Sequence, residues 1–277
     1  MLVSMKKLID DAEKGNYAVG AFSVGNMEMI MGAIKAAEEL STPIIIQIAE
    51  KRLKNSPIEL MGPMMVEAAK RAKVEVAVHL DHGLTLDCIQ KVLDYGFTSV
   101  MLDASLMPFE DNIKITKQVV ALARKHSATI ESELGVVGGI EGDNLVHEIK
   151  CTDPKVAKEF CDRTDIDCLA VAIGNAHGNY PVLPELRFDI LEEIHNTCTK
   201  PLVLHGGTGI SDEQFKKSIS LGIRKINIAT ASFDNLTRFA KNYFENNENV
   251  DYFSLSNEMV KGVYENVKRH ILVFNNK

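Results

Sequence analysis

Apolar and polar positions along this chain fall into two alternating rhythms. Short runs rich in β-branched residues recur at YAVGAFSV (17–24), PIIIQIA (43–49), EVAVHLD (75–81), SVMLD (99–103), TIESELG (129–135), CLAVAIG (168–174), PLVLHG (201–206) and KINIAT (225–230). Such runs read as strands because branched side chains fit a pleated, buried surface. Between them the apolar positions switch to helical spacing, as in MEMIMGAIKAAEEL, TLDCIQKVLDYG, FEDNIKITKQVVALARKH and DEQFKKSISLG. Eight strand–helix units in series predict an α/β fold, a (β/α)8 TIM barrel. A doubly wound open sheet is the competing arrangement, but no glycine-rich dinucleotide fingerprint follows the first strand.

The 277 residues suit one such barrel, which needs roughly 250, and no linker or charge block divides them. A single catalytic domain over 1–277 is therefore expected. The one long irregular stretch, VVGGIEGDNLVHEIKCT (136–152), lies between the fifth strand and its helix. Its length and paired glycines predict a mobile loop with a hinge. From about residue 232 the chain continues as a C-terminal helical extension.

Composition narrows the partners. A net charge of −7 lacks the basic face of a nucleic-acid binder, although phosphate is still within reach of backbone N–H groups and a metal ion. The opening MLVSMKKLIDDAEKG reads as an amphipathic helix without a signal peptide's apolar core. No apolar run approaches a membrane span. Cys88, Cys151, Cys161, Cys168 and Cys198 form no C-x-x-C pair and read as reduced thiols of a cytoplasmic protein.

In a barrel of this kind, chemistry collects at the C-terminal ends of the strands. Strand 3 ends in His79-Leu80-Asp81-His82-Gly83, strand 4 in Asp103, strand 5 in Glu133, strand 6 in Asn175-Ala176-His177-Gly178, strand 7 in His205-Gly206-Gly207, and strand 8 in Asn227 and Thr230. His82, His177 and His205 come from three strands, each beside glycine. Three imidazoles with an open position suit a catalytic zinc. The bland alternative for any one of them is a hydrogen-bonded loop histidine. His126, His195 and His270 fall in helices or at helix ends and are expected at the surface, and His147 lies in the long loop. The turn Gly206-Gly207-Thr208-Gly209 and the end of strand 8 match the place where barrels often hold phosphate; a plain tight turn is the alternative.

The motifs HLDHG, LDAS, ESELG, GNAHGNY, VLHGGTG and KINIAT occur together and in order. With them the chain resembles the class II ketose-phosphate aldolases, the group of fructose- and tagatose-bisphosphate aldolases, from about residue 3 to residue 235. The resemblance implies reversible retro-aldol cleavage of a ketose phosphate or bisphosphate to dihydroxyacetone phosphate and an aldehyde, with zinc stabilising an enediolate. By position, His82, His177 and His205 match the zinc ligands, and Asp103 and Glu133 match residues that hold the metal in a second position. Asp81 matches the acid that exchanges the aldehyde-oxygen proton, and Glu141 the mobile-loop glutamate that moves the proton on carbon. Gly178, Gly206, Gly207, Thr208, Asn227 and Thr230 match the dihydroxyacetone-phosphate positions. The resemblance also implies a homodimer or homotetramer and leaves room for a monovalent cation.

The departures bear on the substrate. The loop reads GGIEGD where the family has GGxEDG. Ala229 replaces an aspartate of the fructose-bisphosphate enzymes and looks more like the tagatose branch. Asn257 in YFSLSNEM stands where those enzymes carry an arginine for the distal phosphate, and asparagine gives no bidentate charged clamp. QIAEKRL replaces a serine-containing turn, leaving Glu50 or Arg52 to meet a different sugar end. Unphosphorylated or unusual aldehydes are thus expected to be accepted at least comparably. A Schiff-base aldolase is disfavoured by the absence of lysine at the tip of strand 6. A metal-dependent hydrolase is disfavoured by Phe22-Ser23-Val24 at strand 1, in place of His-x-His. A catalytically silent sugar-phosphate-binding barrel is the non-enzyme alternative.

Overall fold

The computed structural model describes residues 1–141, 144–146, 150–179 and 184–275, with the backbone alone at 140, 141 and 144–146. Its strands in chain order are β1 (Val19–Ser23), β2 (Ile44–Ala49), β3 (Val76–Gly83), β4 (Ser99–Leu102), β5 (Thr129–Leu134), β6 (Gly138–Glu141), β7 (Asn144–Val146), β8 (Cys168–Val171), β9 (Ala176–His177), β10 (Leu202–Leu204) and β11 (Ile223–Ile228). Eight of these close a parallel barrel in the order β1-β11-β10-β8-β5-β4-β3-β2, and β7-β6-β9 form a small separate sheet. The single-domain (β/α)8 barrel expected from the alternating rhythms is the observed fold.

Strand alternation divides the barrel residues into two sets. Ile44, Ile46, Ile48, Val76, Val78, Leu80, Val100, Leu102, Ile130, Leu169, Val171, Leu204, Ile226 and Ile228 join the large core shared with the surrounding helices. The alternate positions Val19, Ala21, Ile45, Ala77, Cys168, Ala170 and Val203 pack instead with Met5, Leu8, Ile9 and Ala12. Those four residues form the buried stripe of α1 (Met5–Gly15), whose N-cap Ser4 accepts from the Lys7 N–H. The helix thereby plugs the N-terminal end of the barrel. Higher on the same inner faces the residues become polar: Gln47, His79, Glu131 and Lys225, each fully buried.

The remaining helices are α2 (Met27–Glu39), α3 (Ile58–Arg71), α4 (Leu86–Asp94), α5 (Phe109–Lys125), α6 (Pro154–Thr164), α7 (Phe188–Thr197), α8 (Asp212–Ser220), α9 (Thr230–Asn246) and α10 (Tyr252–Phe274). The C-terminal pair α9–α10 packs together and α10 lies along α2. Its buried positions include Val260, Val263, Val267, His270, Ile271 and Phe274. None of the described helices is long and apolar enough to cross a membrane.

Three expectations about local structure change. The stretch 136–152 is not irregular throughout, because β6 and β7 pair antiparallel within it. The sixth barrel strand ends at Val171; Gly174 then takes φ +96°, and the Asn175 side chain accepts from the Ile173 N–H at 2.7 Å. This turn separates β9, and His177 with it, from the barrel wall. The eighth strand begins at Ile223, and Thr230 already belongs to α9.

His270 is also corrected: it is 3% exposed, set among the rings of Phe22, Phe215 and Phe274. His126 and His195 are exposed. All five cysteines are free thiols, with Cys161 Sγ and Cys198 Sγ 2.8 Å apart.

Candidate active site

A cavity opens at the C-terminal end of the barrel, lined by Asp81, His82, His177, Asn227 and the glycine turn 206–208, among others. Asp81 and His82 are neighbours on one strand, so alternation alone would aim them to opposite faces. The backbone resolves this. His82 has φ +41°, and the β3–β4 register shifts between Leu80 and Gly83. A bulge of this kind turns a side chain toward a site and stores local strain, and both residues reach the cavity.

Ligand nitrogens of His82, His177 and His205 lie within 4.8 Å of one another. Each of two rings is oriented by a carboxylate. His82 Nδ1 lies 2.8 Å from Asp103 Oδ2, and His205 Nε2 lies 2.9 Å from Glu131 Oε1. A carboxylate only accepts, so these ring nitrogens carry the protons and the other nitrogens present lone pairs. Those other nitrogens, His82 Nε2 and His205 Nδ1, face each other at 2.9 Å. Two lone pairs at that distance require a proton or a cation between them. This donor set fits a divalent metal of the zinc type, each imidazole being fixed from behind.

Asp103 also accepts from the Ser105 N–H and hydroxyl. Burial opposes its charge, but the hydrogen bonds from His82 and Ser105 outweigh burial and hold its carboxyl well below the usual range. Glu133 Oε2 is 3.6 Å from His205 Nδ1. With His82, Asp103 and Glu133 form a second group whose ligand atoms lie within 4.8 Å.

His177 is placed differently. It pairs through β9 with Gly139 of β6, and two glycines press on that segment. A Cβ on Gly139 would come 2.1 Å from the His177 carbonyl oxygen, and one on Gly206 would come 2.1 Å from that of Ala176. Both have positive φ, +91° and +64°, which glycine adopts without penalty. The paired-glycine segment expected to act as a hinge thus also forms the seat of His177.

Asp81 is 5% exposed. Its carboxylate accepts from Gln47 Nε2 and from Asn227 Nδ2, both at 2.9 Å. Asn227 Oδ1 in turn accepts from Lys225 Nζ at 2.7 Å, and Lys225 pairs with Glu131 at 2.9 Å. A continuous polar chain therefore runs from His205 through Glu131, Lys225 and Asn227 to Asp81. Burial alone would raise the Glu131 pKa, but the charge of Lys225 and the hydrogen bond from His205 hold it well below the carboxylate range. Burial, and then the charge of Lys225, push His79 the other way, well below 6.5, so it stays neutral.

Reading only strand tips missed Glu131, Lys225 and Gln47, and gave no role to His79, although it stands in the strand 3 motif. Their signal was position: His79, Glu131 and Lys225 each sit two residues before a tip residue, on the same inner face. Gln47 lies two residues before Ala49, the register partner of Asp81.

Gly178, Gly206, Gly207, Thr208, Asn227 and Thr230 all line the cavity. Thr208 Oγ1 accepts from the Ala231 N–H at 3.0 Å, joining the glycine turn to the first turn of α9. The N-terminus of that helix opens beside Thr230, a setting that favours an anion. Glu141 ends β6, and its side chain lies outside the described residues, as do Gly142, Asp143 and His147. Asn257 is exposed on α10 and is not part of the cavity wall.

Comparison with known proteins gives the family. A class II fructose-bisphosphate aldolase family profile matches residues 3–277. A fructose-bisphosphate aldolase of Geobacillus stearothermophilus is 42% identical over 258 residues, 90% of this chain and 88% of that one. A sulfofructosephosphate aldolase of Alkalicoccus urumqiensis is 40% identical, covering 98% and 96% of the two chains. The crystal structure of the YdjI aldolase of Escherichia coli K12 superposes with a TM-score of 0.89 at 37% identity, over 99% of this chain and 97% of that one. The chain belongs to the class II fructose-bisphosphate aldolase family and is a carbon–carbon lyase.

Proposed function

We propose that this enzyme is a zinc-dependent aldolase that cleaves a ketose 1-phosphate to dihydroxyacetone phosphate and an aldehyde, and reverses that reaction. The observation that carries the reading is the facing pair His82 Nε2 and His205 Nδ1, 2.9 Å apart with their outer nitrogens bonded to carboxylates. His82, His177 and His205 would hold the ion, with Asp103 and Glu133 as a second position. A divalent cation there supplies Lewis-acid polarisation of the substrate's carbonyl and hydroxyl oxygens.

The chain's own residues do the rest. Asp81, held by Gln47 and Asn227, removes the hydroxyl proton at the bond that breaks and returns it to the aldehyde oxygen in condensation. Glu141 exchanges the proton on the dihydroxyacetone-phosphate carbon. Gly178, the turn Gly206–Thr208, Asn227 and Thr230 cradle one phosphate at the N-terminus of α9. Closure of the segment bearing Glu141 over the cavity keeps water from the carbanionic carbon.

Two assays test this. Chelation should abolish cleavage and added zinc restore it; activity that survives chelation, with a substrate adduct trapped by borohydride, overturns the metal reading. Condensation of dihydroxyacetone phosphate with phosphorylated, sulfonated and carboxylated aldehydes then defines the second half of the substrate. Asn257 and Ala229 favour relaxed demand for a distal phosphate, so strict dependence on glyceraldehyde 3-phosphate overturns that part. A dimer or tetramer, as in the resemblance, suits the exposed Tyr252 and Phe253, at 67% and 76%. Sedimentation of a stable monomer overturns it.

A further inference from the structure

Asn257 is exposed, and among the described residues no cation of α10 lines the cavity. Of the two residues left over from the altered turn after β2, Glu50 is already engaged. Its carboxylate accepts from the Leu84 and Thr85 N–H groups and from the Thr85 hydroxyl, at 2.6, 3.1 and 2.7 Å. It thereby pins the β3–α4 loop. Arg52 differs: it is exposed, yet it lines the cavity and makes no ion pair among the described residues. Its guanidinium lies over the Phe233 ring, 5.5 Å from the centroid. Stacking of this kind orients the plane and leaves the N–H edges available for a planar or tetrahedral anion.

The strand register says which end of a substrate Arg52 would meet. Ala49 pairs with Asp81 across β2–β3, and Arg52 follows three residues later on the same turn. Among the described residues lining the cavity, Arg52 is also the one lysine or arginine. We infer that Arg52 is the specificity-determining residue for the aldehyde half, gripping a distal anionic group: phosphate, sulfonate or carboxylate. This rests on the aldolase reading, and it narrows the relaxed specificity expected from Asn257: the distal phosphate is replaceable, but by another anion.

The test is equilibrium binding to the zinc-loaded enzyme, using a hexitol 1,6-bisphosphate and a hexitol 1-phosphate. Wild type should prefer the bisphosphate by about tenfold or more, as expected for charge-assisted hydrogen bonds. Arg52→Gln, which keeps much of the stem over Phe233, should reduce that ratio to about twofold or less, and Arg52→Lys should recover part of it. The inference is overturned if wild type shows no preference, or if the ratio survives in Arg52→Gln. The ratio survives when both ligands weaken together, which would place Arg52 on the shared phosphate. Turnover measured in parallel separates the two claims: an intact ratio effect without any aldol activity sinks the catalytic reading and leaves the anion site standing.

Discussion

His82 Nε2 and His205 Nδ1 stand 2.9 Å apart, closer than two neutral lone pairs tolerate, while Asp103 and Glu131 hold their outer nitrogens. A proton or a cation must lie between the facing nitrogens, and under the proposed metal reading zinc binding should stabilise the native state. At free zinc about 100-fold above the dissociation constant, the gain is about 2.7 kcal/mol, or a rise in melting temperature of roughly 5 °C for a chain of this size. Thermal unfolding with and without chelator checks this, and His205→Ala should abolish the difference. Identical melting curves for metal-free and zinc-loaded wild type would contradict it.

Lys225 and Glu131 are both 0% exposed and pair at 2.9 Å. Lys225→Met leaves a buried carboxylate with only neutral donors near it, His205 and the Cys168 thiol, and should destabilise the metal-free protein by about 3–5 kcal/mol. Adding Glu131→Gln removes the orphaned charge, so the double variant should be more stable than Lys225→Met alone. Urea unfolding of wild type, both single variants and the double variant decides it; simple additivity would show that the pair is not coupled.

Gly139→Ala places a methyl group 2.1 Å from the His177 carbonyl oxygen, at φ +91°. The backbone must move, and the strain of order 1–3 kcal/mol falls on a metal-ligand candidate. Expected is weaker zinc retention against a competing chelator together with lower kcat. Unchanged metal affinity would separate the β6–β9 pairing from the site.

Acid should destabilise the protein through His270. Burial lowers its pKa from 6.5 to about 4, and its Nδ1–H donates to the Asn266 carbonyl at 2.8 Å. Because the folded pKa lies below the unfolded one, the unfolded chain binds the extra proton. Stability is therefore full above about pH 6.5 and falls as pH drops toward 4, by about 3 kcal/mol at 1.36 kcal/mol per unit. His270→Gln should lose less stability than wild type between pH 7 and pH 4.5 in denaturant titrations. Parallel losses would assign the acid sensitivity elsewhere.

Much of the fold was legible because branched runs and helical spacing report directly on burial. The three histidines were legible because a barrel puts strand ends in one mouth. The left-handed backbone at His82 was not, since a bulge depends on the pairing of β3 with β4. Nor was the separation of β9 from the barrel, which follows from Gly174 and the Asn175 side chain. Glu131 and Lys225 were visible in principle by counting back two residues from the tips. So was burial of His270, which falls in step with Val263, Val267 and Phe274. A titratable residue on a helix invites a surface assignment until its neighbours are counted.

The alternation along the barrel strands has a further consequence. Residues that meet the helices and residues that meet the cavity largely alternate along the same strands, with Ile48 belonging to both sets. Exchanging an inner side chain near the mouth, such as Ala49 or Gln47, leaves Ile46 and Ile48 in their places against the outer shell. Such an arrangement allows inherited chemistry to diversify while folding goes on as before. The exception is the Glu131–Lys225 layer, where any new substrate preference must be compatible with two charges sealed in the middle of the barrel.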